Sequence, residues 1–177
     1  MKLKLLKEDP PAPWYATGLS FQCTCCGNCC TGGPGFVWMT DEEVDRLAAH
    51  LGLSRQQTLK DHCRKIGGKI SLKETRTPQG GYDCKFLKEI PAEKIPGQVT
   101  LPRRVCGIYE VRPLQCRTWP FWDGNLASKE NWNNSSKRCP GMDRGKHYSR
   151  ARIEALRDAP DWPDRPPNSG TTKRREK

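Results

Sequence analysis

Cys23-Thr24-Cys25-Cys26-Gly27-Asn28-Cys29-Cys30 decides how the rest of this chain is read, because it gathers five of the ten cysteines into eight residues. Thiols at that density are seldom spent on core packing. The run reads as a loop wrapped around soft metal ions. Within it, Cys23-x2-Cys26-x2-Cys29 has the two-residue spacing by which a tight turn points two sulfurs at one ion, at a Zn–S distance of about 2.3 Å. Gly27 suits the backbone of such a turn, since glycine takes a positive φ at little cost. In an extended segment the adjacent Cys29 and Cys30 would point to opposite faces. That adjacency predicts more than one metal, or a polynuclear cluster; a vicinal disulfide there would be strained.

Composition sets the frame. The 177 residues fit one domain, but a mean hydropathy of −0.84, with 15 Pro and 16 Gly, describes a loop-rich fold. Such a fold needs staples, either disulfides or metals. The first ten residues hold a two-residue apolar run, far short of a signal peptide's roughly 7–15, and no stretch reaches the length of a membrane helix. The expected compartment is the cytoplasm, with no membrane partner. There dense cysteine means metal or redox chemistry rather than structural disulfides.

The net charge is +11, of which Asp164–Lys177 carries +3 and residues 1–9 carry +1, leaving +7 on the body. Two four-thiolate zinc sites, each of net charge −2, would offset four of those seven. Nucleic acid is not the expected partner, because the Arg and Lys are scattered and form no long basic helix.

The expected organisation is an extended lead over 1–20, a cysteine-cluster domain over 21–158 and a disordered basic tail over 159–177. The fold class is α+β: short strands and about three short helices around a metal-tied centre. Phe36–Met39 is a strand candidate. Thr40 and Glu43 form a capping box, and Val44, Leu47, Ala48 and Leu51 repeat at helical spacing up to Gly52. Ser54 and Gln57 open a second helix predicted to carry Leu59, Cys63 and Ile66 on one side and to stop at Gly67-Gly68. Residues 69–76 and 81–87 read as strands joined by a turn, with another strand near 99–105. Trp119, Phe121 and Trp122 read as core, residues 123–138 as a polar loop, and 149–157 as a last helix.

Cys84, Cys106, Cys116 and Cys139 lie downstream. With Cys23, Cys26, Cys29 and Cys30 they make eight thiols, enough for two tetrahedral sites or for one cluster plus one zinc. The spacing of the first run also resembles a bacterial ferredoxin run, and Cys139-Pro140 supplies the proline that follows a last ligand there. The four blocks resemble the CxxCxxCC (YkgJ-type) family of zinc- or iron-chelating domains. They are Phe21, Cys23 through Cys30, Cys84-Lys85-Phe86-Leu87, and Cys106 through Pro120. The resemblance covers roughly 21–140. It implies metal binding through those eight cysteines but no settled reaction. Zinc, iron and a [4Fe-4S]-type cluster all satisfy thiolate ligation. A related cysteine pattern in flagellin lysine-N-methylase hints at methyl transfer. Cys25 departs from the family pattern and is the expected bystander in the run.

Arg112 and Arg117 flank Cys116. As cofactor-binding residues they would hydrogen-bond sulfur and lower thiol pKa values; alternatively they pair with a carboxylate such as Glu110. Tyr109 reads as core filler or as a hydrogen-bond donor to a sulfur, and Cys63 as a small core residue. His50, His62 and His147 lack ligand spacing. No nucleophile elbow, phosphate loop or dinucleotide fingerprint is present, and the radical-SAM spacing fails because Gly32 and Gly33 stand where its third cysteine belongs. Three readings remain open: a metal-binding protein, a cluster-dependent redox or group-transfer enzyme, and a zinc-stapled interaction module.

Overall fold

A computed structural model describes residues 11–92, 94–95, 98–99 and 102–159. It begins with strands β1 (Leu19–Phe21), β2 (Thr31–Gly32) and β3 (Trp38–Met39), then helices α1 (Asp41–Leu51) and α2 (Arg55–His62). Eight short strands follow: β4 (Cys63–Ile66), β5 (Lys69–Leu72), β6 (Glu74–Arg76), β7 (Tyr82–Cys84), β8 (Leu87–Ile90), β9 (Lys94–Ile95), β10 (Gln98–Val99) and β11 (Arg103–Cys106). Helices α3 (Leu114–Thr118), α4 (Asp123–Leu126) and α5 (Lys129–Ser136), strand β12 (Lys146–Tyr148) and helix α6 (Arg150–Asp158) complete the series. The class is α+β, as the sequence implies. The described strands form five separate antiparallel sheets of two or three strands each. No described helix is long and apolar enough to cross a membrane. Residues 1–10 of the predicted lead and the predicted tail from 160 onward lie outside the described residues.

Helix α1 forms as its sequence dictates. The Thr40 hydroxyl accepts from the Glu43 amide while the Glu43 carboxylate accepts from the Thr40 amide. Three acidic residues in the first turn complement the helix dipole. Gly52 closes the helix at φ 66°, a left-handed position that suits glycine. Val44, Leu47 and Ala48 are buried. Two sequence expectations need correction. The second helix ends at His62, and Cys63–Ile66 instead pairs with Lys69–Leu72 across the Gly67-Gly68 turn. A paired glycine stop marks a tight hairpin as readily as a helix end. The segment 123–138 is not a loop, since it holds α4 and α5. Helix α5 is polar except for one buried residue, Trp132, so it has no apolar period to detect, yet Ser128 caps it through the Asn131 amide.

The buried side chains divide into two cores. One is mainly aliphatic: Met39, Val44, Leu47, Leu72 and Ile108, with Phe86 and Cys63. Cys63 is therefore a core residue, as expected. The other is aromatic and joins distant segments: Tyr15 and Phe21 meet Phe121, Trp132, Met142 and Ile153. Trp14 packs against this second core, and its indole donates to the Leu126 carbonyl at 2.8 Å. Strand β1 pairs with β12, which brings the two ends of the described domain together beside the cysteine loop.

Candidate metal centre

Nine of the ten cysteines line one cavity of about 40 Å³ between the two cores; Cys63 is the exception. Phe21 walls it from the aromatic core, and Leu72 and Ile108 from the aliphatic one. All ten cysteines are free thiols. The volume admits a few water-sized spheres, which suits small ions held by side chains.

The backbone explains the convergence. Gly27 sits at φ 72°, and a Cβ there would lie 2.8 Å from Leu87 Cδ1 and 3.2 Å from Arg104 Cβ. It therefore meets both demands that favour glycine. It opens a 3₁₀ turn over Asn28–Cys30, so the Cys29-Cys30 pair is not extended. The expectation that these sulfurs face opposite ways is overturned by that turn: they lie 3.9 Å apart. Four sulfurs held tetrahedrally at about 2.3 Å from one ion stand about 3.8 Å from one another. The pair thus has the separation of two ligands to a single ion.

Asn28 fastens the turn from both sides. Its amide donates to the Arg138 carbonyl at 2.7 Å, and its oxygen accepts from Arg104 at 2.9 Å. Cys84 and Cys106 arrive from the ends of β7 and β11. Cys116 comes from α3. Cys139 follows α5 and accepts from the Trp119 indole at 3.4 Å.

The electrostatics separate the thiols into two neighbourhoods. The Cys30 thiol faces Cys106, Cys29 and Cys84, and their sulfurs hold its proton in place. The hydrogen bond from Cys30 in turn draws Cys106 down to about 6 and Cys29 to about 7, and lowers Cys84, against the opposing effect of burial. Burial pushes the Cys116 thiol up, reinforced by the charges of Cys84, Cys29 and Cys106. Sulfurs this close cannot all ionise without a cation among them. On the aromatic side, Cys23 and Cys139 pack with that core, and Cys23 accepts from the Cys25 amide at 3.4 Å. Cys26 lines the cavity between these groups. Among the described residues, no three Cys, His, Asp or Glu side chains already close a coordination shell around one point.

The two arginines have different surroundings. Arg112 lines the cavity, stands 3.6 Å over the Tyr109 ring, and its charge favours the thiolate forms of Cys29 and Cys106. Arg117 is half-exposed and pairs with Glu43 at 3.7 Å rather than with Glu110; it does not line the cavity. Of the two expectations for Tyr109, the sulfur contact is the one the structure has, not the core one. Its hydroxyl faces Cys23, and that contact, with burial, pushes its pKa up to about 12. Of the predicted aromatic core, Phe121 is buried, and Trp119 packs against that core while also lining the thiol cavity. None of the three histidines lines it.

Two positioning residues are not evident from spacing. Buried Glu43, read from sequence only as a cap, also accepts from the Leu114 amide at 2.6 Å, which ties α1 to the start of the helix carrying Cys116. Gln115 donates to the Phe36 carbonyl at 3.0 Å and accepts from the Trp38 amide at 2.8 Å. It acts as a short substitute strand along β3.

The class is thus a small loop-rich domain in which two modest cores meet across a pocket of thiols. The profile of the CxxCxxCC family, described as "Putative zinc- or iron-chelating domain", matches residues 22–140, and the chain belongs to that family. It is also 30% identical over 122 residues to the uncharacterized protein MJ0661 of Methanocaldococcus jannaschii, an alignment covering 68% of this chain and 53% of that protein. The chain therefore spans about half the length of that relative. No solved structure matches it.

Proposed function

We propose that this protein is a metal-binding domain that holds zinc or iron through Cys23, Cys26, Cys29, Cys30, Cys84, Cys106, Cys116 and Cys139. The observation that carries the reading is the convergence of thiols from five separated segments on one cavity. Cys29, Cys30, Cys84 and Cys106 form the first ligand group, since Cys30 faces the other three. Cys23 and Cys139 on the aromatic side, with Cys26 between the groups and Cys116 bordering the first, make up a second, adjoining group. A bound thiophilic cation supplies charge neutralisation and cross-linking there. Arg112 stands beside the thiols and favours their ionised forms, Trp119 donates to Cys139, and the two cores exclude water from the cavity walls.

The family's zinc-or-iron description agrees with this donor set, and thiolate ligands accept either metal. The test is anaerobic purification followed by metal analysis and an optical spectrum. Stoichiometric zinc with no visible absorption assigns mononuclear zinc sites. Iron with thiolate-to-iron bands assigns an iron or iron–sulfur centre. A folded protein with ten freely titrating thiols and no metal would overturn the proposal.

A further inference from the structure

Cys25 is the thiol that the eight-cysteine ligand set leaves over, and its position is specific. It is exposed, and it holds a left-handed backbone at φ 54°, uncommon for a residue other than glycine. With Thr24 and Cys26 it forms the partition between the thiol cavity and a second, open groove of about 740 Å³. That volume lies in the range of small-molecule sites. Ile90, Pro91, Pro102 and Val105 give the groove apolar walls. Arg103 and Arg104 bring two positive charges and Glu89 one negative. Arg104 is anchored to Asn28 at 2.9 Å, so it connects the groove to the turn that carries Cys29 and Cys30.

We infer that this groove is the exchange port of the metal centre: it receives a metal ion carried by a small, carboxylate-bearing thiol, and Cys25 is the transfer ligand. The inference rests on the metal-binding reading above. The soft end of the carrier would face Cys25, and its carboxylates would face Arg103 and Arg104. In the exchange, the Cys25 sulfur bonds the incoming ion as the bond from ion to carrier sulfur breaks. The Cys25 thiol proton passes to the departing carrier thiolate, and no electrons are transferred. Cys25 then hands the ion inward to Cys23, whose sulfur accepts from the Cys25 amide at 3.4 Å. As the Cys25–ion bond breaks and the Cys23–ion bond forms, the ion that Cys23 held passes to Cys25 and leaves on the carrier thiol, whose proton returns to Cys25. The other exposed cysteine, Cys29, is unsuited to this part because its sulfur is engaged with Cys30 at 3.9 Å.

The test compares the full-length metal-loaded protein with Cys25→Ser and Arg103→Gln, using radioactive zinc offered as its complex with reduced glutathione. Cys25→Ser should keep the wild-type metal content and exchange bound for offered zinc about tenfold more slowly, a barrier change of about 1.4 kcal/mol. Arg103→Gln should slow exchange from the glutathione complex but not from the complex with uncharged 2-mercaptoethanol. Limited alkylation of the loaded wild-type protein gives a second readout that needs no variant: Cys25 should be labelled first, with metal retained and exchange slowed. Unchanged exchange after loss or alkylation of Cys25 would overturn the port. So would loss of one metal ion on its substitution, which would make Cys25 a resident ligand. If none of the proteins retains metal, the metal-binding reading falls and takes the port with it.

Discussion

The aliphatic and aromatic cores differ in how far along the chain they reach. The aliphatic core is made largely by neighbours in sequence: α1 with its cap, then the hairpin of β4 and β5, the latter also pairing with β3. The aromatic core depends on remote partners, with Tyr15 and Phe21 meeting Phe121, Trp132 and Ile153. The sulfurs follow the same division. Cys84 and Cys106 pack against the aliphatic core, Cys23 and Cys139 with the aromatic one. Small cores of this kind seldom carry a fold alone. A metal that binds thiols from both sides converts its binding free energy into folding free energy. The comparison therefore teaches that the remote half needs the staple more than the local half does.

The largest expected effect comes from setting Cys30 against Cys63. Cys30→Ser removes the sulfur that faces three others. It should lower metal content and destabilise the protein by more than about 3 kcal/mol, out of the roughly 10–16 kcal/mol that a structural zinc site can supply. Cys63→Ala, inside the aliphatic core, should leave metal content unchanged and cost about 1–2 kcal/mol through a small cavity. Denaturant midpoints with metal counts per chain make the comparison; equal metal content in the two variants would break it.

A smaller effect is expected at Gly27→Ala. The left-handed backbone and the approach of Leu87 and Arg104 together should cost about 3 kcal/mol and weaken metal retention by displacing Cys29 and Cys30. Retention against a chelator reads this out, and wild-type retention would show that the turn is not what sets the pair. The smallest effect is expected at Glu43→Gln. A neutral amide weakens the bonds to the Leu114 amide and to Arg117 and should cost about 1–2 kcal/mol. Hydrogen exchange should rise first around α1 and α3, with Trp132 in the aromatic core little affected; equal loosening in both cores would merge them into one cooperative unit.

How much of this was legible follows the same division. The first helix could be read because its cap, its apolar period and its stop agree. Cys63 could be placed in the core because it stands outside every cysteine block. Helix α5 could not be read because a single tryptophan anchors it and a single position has no period. Tyr109 stays ambiguous between core and sulfur partner because side-chain type says nothing about which neighbour a hydroxyl meets. The Cys29-Cys30 pair could not be read because the opposite-face expectation holds only for an extended backbone, and the turn that Gly27 opens runs on through both residues.

The sequence by itself determined the family, the α+β class and the number of thiols available, since these depend on residue type and spacing along the chain. Only the tertiary structure decided which thiols share a neighbourhood, that Arg112 rather than Arg117 stands among them, and that Cys25 borders open space. The physical reason is that each of these is a distance between segments far apart in sequence. Such distances are set by which core each segment packs into, and local spacing does not encode them.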